Sequence, residues 1–71
     1  MAHIRVIHDP AGETLTIYWD DPHREEVCEE VNEELVLIKD STGKLIGLEK
    51  MFYRPSAGKQ AVTVETVEAA V

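Results

Sequence analysis

Apolar positions fall along this chain in short bursts separated by turn-forming residues, which is the spacing of strands and not of long helices. The clearest two bursts lie in LVLIKDSTGKLIGLEKM, residues 35–51, where Leu, Ile and Val runs flank Asp40-Ser41-Thr42-Gly43. Gly43 suits the positive φ that closes such a loop, and Asp40 and Ser41 carry oxygens that accept from turn amides. The stretch predicts a β-hairpin on which the rest of the chain must pack or pair.

Before it, HIRVIH (residues 3–8) alternates imperfectly and TLTIYW (14–19) alternates cleanly, with Leu15, Ile17 and Trp19 on one side and Thr14, Thr16 and Tyr18 on the other. Asp9-Pro10-Ala11-Gly12 between them predicts a reversal into an antiparallel pair. The segment Arg24 to Glu34 is ambiguous by pattern. Val27, Val31 and Leu35 recur every four residues as on a helix, yet Val27, Glu29 and Val31 also share one side of a strand. Beyond Arg54-Pro55-Ser56-Ala57-Gly58, the run QAVTVETVE alternates again and predicts a last strand or a detachable arm. The expected organisation is a domain over residues 1–53, a linker over 54–60 and a strand or arm over 61–71. The fold class is mainly β, with α+β as its alternative: an antiparallel sheet of about five strands built from hairpins. Leu15, Ile17, Val36, Ile38, Ile46 and Leu48, with Trp19, are the expected core. Gly47 inside a strand predicts a bulge or the close approach of Trp19 or Tyr18.

Length sharpens this picture. A domain of 71 residues buries only about 60% of the surface its unfolded chain exposes, so a homodimer or larger assembly is expected, with Ala61 to Val67 crossing to a neighbour. Cys28, the single cysteine, has no internal partner for a disulfide, and together with an N-terminus lacking a continuous apolar core this predicts a cytoplasmic, non-exported protein with no membrane span. Fourteen acidic against seven basic residues, a formal charge of −7, oppose a phosphate backbone, so no nucleic acid is expected as partner.

The remaining chemistry is sparse. His3, His8, His23 and Cys28 lack the close spacing of metal ligands, and neither a metal nor another cofactor is expected. Asp40 and Glu49 read as a turn residue and a cross-strand partner for Lys or Thr, without a nucleophile beside them, so the chain is expected not to be an enzyme. Two features point to association. Glu25, Glu26, Glu29, Glu30, Glu33 and Glu34 follow Asp20 and Asp21 too densely to be buried, and suit either solubility or a basic protein partner. Phe52 and Tyr53 are adjacent, so on a strand one of them points away from the core and becomes a candidate interface anchor.

DPAGETLTI from Asp9, the glutamates before a Leu-Val-Leu-Ile strand, and DSTGKLIGLE from Asp40 to Glu49 resemble the small bacterial proteins of domain-of-unknown-function family 2283. The resemblance covers Ile4 to Met51, carried mostly by Asp40, Gly43, Gly47 and Glu49, with departures at Glu13, at Thr16 and in the tail after Tyr53. It implies consecutive antiparallel strands, which turns the glutamate-rich segment toward strand, and an antitoxin-like pairing with a small basic protein. The leading functional expectation is an acidic protein-interaction module. A ligand-binding or enzymatic domain using acidic residues is the alternative, and a nucleic-acid-binding regulator the second.

Overall fold

A computed structural model describes residues 3–54 and 63–69 of the chain. The protein is mainly β, with five strands in one open antiparallel sheet. They are β1 (Arg5–Asp9), β2 (Thr14–Tyr18), β3 (Val27–Glu30), β4 (Leu35–Lys39) and β5 (Leu45–Lys50), ordered β1-β2-β5-β4-β3. The hairpin β4-β5 is central, as its pattern predicts. Its turn is closed by Gly43 at φ +86°, while Asp40 Oδ1 accepts from the amides of Thr42 (2.9 Å) and Lys44 (3.0 Å) and from the Thr42 hydroxyl (2.6 Å).

The glutamate-rich segment resolves as strand. Pro22–Arg24 form one 3₁₀ turn, capped by Asp21, whose carboxylate accepts from the His23 amide at 3.0 Å. From there the backbone donors go to β4: Glu26 N–H donates to Lys39 O (2.9 Å) and Val31 N–H to Leu35 O (2.9 Å). The strand is chosen by this backbone pairing with β4 and not by burial of the valine stripe, since Val27 and Val31 remain 50% and 54% exposed.

Register fixes two sheet faces. Val6, Leu15, Ile17, Leu48 and Leu37 lie on one face, because Val6 pairs with Ile17, Ile17 with Leu48, and Leu48 with Leu37. Ile7, Thr16, Tyr18, Gly47, Glu49, Val36 and Ile38 lie on the other, through Ile7 to Thr16, Thr16 to Glu49, Glu49 to Val36, and Tyr18 to Gly47 to Ile38. Between Ile38 and Lys39 the β4-β5 register shifts, so Leu45 and Ile46 together oppose Lys39. Gly47 sits beside this bulge, where a Cβ would stand 2.5 Å from Ile17 O and 3.0 Å from the Tyr18 ring. Both expected reasons for that glycine therefore apply, with Tyr18 as the aromatic.

The expected core needs correction. Ile46 (0% exposed) and Ile38 (3%) are buried, but Leu15, Ile17, Val36 and Leu48 are only half-buried. Val36 and Ile38 face away from Leu15, Ile17, Ile46 and Leu48, so the six do not form one cluster. Among the described residues no second layer of secondary structure covers either face. Thr16, on the face opposite Leu15 and Ile17, is buried at 9% exposure because β2 lies between β1 and β5. Trp19, expected in the core, is 40% exposed: its amide still donates to Ile46 O (3.0 Å), but the indole lies at the end of the sheet and donates from Nε1 to Leu45 O (3.1 Å). In the tail, residues 63–69 are exposed and belong to no strand. The linker over 55–60 and the arm positions 61, 62, 70 and 71 lie outside the described residues.

Candidate functional site

The six glutamates expected to meet a partner gather around β3, the last strand on one side of the sheet, and all are exposed. They divide into two groups. Glu29 pairs with Lys39 (2.6 Å), Glu34 with Lys50 (3.6 Å), and Glu25 accepts from the Tyr18 hydroxyl (2.8 Å). Lys39 is the residue opposite Val27, so Glu29 reaches it diagonally along the β3-β4 ladder. Glu26, Glu30 and Glu33 have no side-chain partner among the described residues, and Glu26 enters only through its backbone. Exposed pairs of this kind contribute about 0 to 1 kcal/mol each, so these ion pairs add little to stability beside the backbone pairing of β3 with β4.

Local electrostatics follow from this crowding. Burial, reinforced by the hydrogen bond from its hydroxyl to Glu25, pushes the Tyr18 phenol up to about 12. Burial also raises the Cys28 thiol, with Glu25 and Glu49 adding to the effect, so the thiol stays protonated and a poor nucleophile. Asp20 is lowered chiefly by the Asp21 amide and then by Lys44, whose Nζ lies 3.0 Å from its Oδ2. The Asp20 and Asp21 carboxylates are thus engaged locally, and the open negative charge lies on the strand and its turn.

Phe52 and Tyr53 sit at the opposite end of the sheet from the Asp40 turn, just past β5. Phe52 is 54% exposed and Tyr53 half-buried, but both lie past β5 with Phe52 at φ 54°, so this division does not come from the alternation of a strand. Tyr53 packs edge-on against His8 with ring centroids 5.4 Å apart, and its amide donates to Glu13 O at 2.7 Å. Arg54 forms an ion pair with the Glu13 carboxylate and lies 5.8 Å from the Phe52 ring. Glu13 (φ 57°) and Phe52 (φ 54°) both hold the left-handed conformation, which costs a non-glycine residue about 1 to 2 kcal/mol. The pairing of these two strained turns joins residues some forty positions apart, so Glu13, Arg54 and His8 had no local signal marking them. Tyr18 as the partner of Glu25 was equally hidden.

Glu34 reaches toward the Phe52 corner, since Met51 N–H donates to Glu34 O at 2.7 Å, but among the described residues no side-chain contact joins Phe52 to the glutamates. The register does not bring Asp40 and Glu49 together. Asp40 is in the turn, whereas Glu49 lies opposite Val36 and accepts weakly from the Thr16 hydroxyl at 3.4 Å. Among the described residues, no three His, Cys, Asp or Glu side chains converge to hold a metal ion, and no helix is long and apolar enough to cross a membrane. No family model, curated protein or solved structure matches the chain.

Proposed function

We propose that this chain is a protein-interaction module that self-associates and offers the β3 edge to a small basic protein. The observation that carries the reading is the state of that edge: a strand with one side of its backbone unpaired, exposed at every residue, next to Glu26, Glu30 and Glu33 with no cation to satisfy them among the described residues. An incoming extended segment gains main-chain hydrogen bonds there, and a Lys or Arg on the face that carries Cys28 and Glu30 meets Glu30, whose carboxylate has no cation among the described residues. The antitoxin-like pairing implied by the sequence resemblance is one form such a complex would take.

The test compares the wild type with the triple variant Glu26→Gln, Glu30→Gln, Glu33→Gln in capture from the source organism, at low and at high salt. The expected result is a basic protein retained by the wild type and released by either added salt or the variant, because steering between exposed charges is screened over about 8 to 10 Å. A partner whose association ignores both changes would contradict the acidic edge and move attention to Phe52.

A further inference from the structure

The opposite edge of the sheet is β1, and its outer residues are of a different kind. Its five residues are Arg5-Val6-Ile7-His8-Asp9, with Arg5, Ile7 and Asp9 exposed and on one face. Ile7 is 43% exposed, and Ile4 just before the strand is 58% exposed. Natural edge strands are guarded by charged side chains, lysine above all, by proline, a bulge or short length, and the two charges of β1, Arg5 and Asp9, are of opposite sign. No residue of β1 is Pro or Lys, and its register with β2 runs without interruption.

The order of charges makes this edge complementary to itself. We propose that β1 pairs with β1 of a second copy about a two-fold axis at Ile7, joining two sheets into one of ten strands. In that antiparallel register Ile7 faces the second copy's Ile7, and Arg5 faces the second copy's Asp9 at both ends, so each dimer gains one apolar pair and two opposite-charge pairs on the same face. The groups are placed for it. Arg5 forms no ion pair among the described residues. Asp9 uses Oδ1 to accept from the Ala11 and Gly12 amides, both at 3.1 Å, and Oδ2 accepts nothing among the described residues. On the other face Val6 meets the second copy's His8.

The alternative edge cannot do the same. Pairing β3 with its own copy about Cys28 sets Glu26 against Glu30, and pairing about Glu29 sets the two Glu29 side chains against each other. A second copy is therefore the occupant that fits β1 and the one that β3 rejects. A five-residue edge is a small contact beside the roughly 1,200 Å² of a stable complex, so the dimer should form only as concentration rises. This assignment rests on the self-association in the reading above and names its surface; it does not depend on a basic partner.

Crosslinking tests it. In the full chain carrying Cys28→Ser, Ile7→Cys places two thiols directly opposite, with Cβ atoms about 4.5 to 5.5 Å apart. Ile4→Cys places them about 20 Å apart along the same edge, from six residues at about 3.4 Å each. A short bismaleimide should link the first variant into a dimer and leave the second monomeric, and Arg5→Glu should weaken the dimer about tenfold in light scattering with unchanged circular dichroism. A wild type that is dimeric while Ile4→Cys links as well as Ile7→Cys would overturn the surface and keep self-association. A wild type monomeric at high micromolar concentration would overturn both, and loss of the dimer on deleting residues 61–71 would transfer the interface to the arm.

Discussion

The two edges of this sheet are built on opposite charge patterns. On β1 a cation and an anion lie symmetrically about an isoleucine, so a two-fold rotation maps attraction onto attraction. On β3 one sign repeats, so the same rotation maps repulsion onto repulsion. Both edges expose backbone of the same kind, and the lesson is that side-chain order alone can decide which edge accepts a copy of the chain and which is left for a foreign strand.

The contrast exists only while the central strands hold the edges apart, and the largest effects should come from breaking them. Ile46→Ala removes the one fully buried large side chain among the described residues and should cost about 2 to 5 kcal/mol, enough to leave the chain largely unfolded by thermal melting. Gly47→Val should do at least as much, since even a Cβ would stand 2.5 Å from a backbone oxygen. A stable, well-folded Ile46→Ala variant would mean that the packing lies elsewhere.

Ile7→Lys should abolish dimerisation while changing monomer stability by about 0.5 kcal/mol or less, because it alters one exposed edge position. Sedimentation across a concentration series reads the first effect and low-concentration melting the second. A smaller, several-fold slowing is expected for association with a basic protein when Glu26, Glu30 and Glu33 become Gln, with self-association unaffected. If the triple variant weakens the dimer instead, the division between the edges is wrong.

The smallest effect is common to both edges. Asp20, Asp21 and Asp40 are held below the ordinary carboxylate range, Asp40 first by the Thr42 hydroxyl and Asp21 first by the His23 amide. A lowered folded pKa contributes stability that is present above the unfolded value of about 3.9 and lost as pH falls through the folded value. Melting temperature should therefore begin to fall near pH 4, and Asp40→Asn should flatten that slope. Tyr18 acts at the other end: raised to about 12, it favours the folded state below about pH 10 and loses that contribution as pH climbs toward 12.

What the sequence disclosed follows the range of each interaction. The β4-β5 turn was legible because Asp40 and Gly43 act within four residues of each other, and Gly47 was legible because a strand tolerates glycine poorly without a reason. Strand β3 was undecidable from pattern, since valines four apart satisfy both periods and only pairing with β4 chooses between them. The core was half legible. Runs such as LVLI and LIGL are apolar at successive positions, so they do not say which face is covered, and in an open sheet both faces remain partly exposed. The glutamates were visible as a class, but their split into three engaged and three free depends on where Tyr18, Lys39 and Lys50 fall in the register. The Glu13, Phe52 and Arg54 corner was invisible because its members meet only after the sheet has formed.

The difference between the edges can be read amide by amide. Hydrogen exchange measured across a range of protein concentrations should slow at the outward amides of Arg5–Asp9 as concentration rises, and stay constant at those of Val27–Glu30. Slowing confined to β3, or exchange independent of concentration along both edges, would contradict the account.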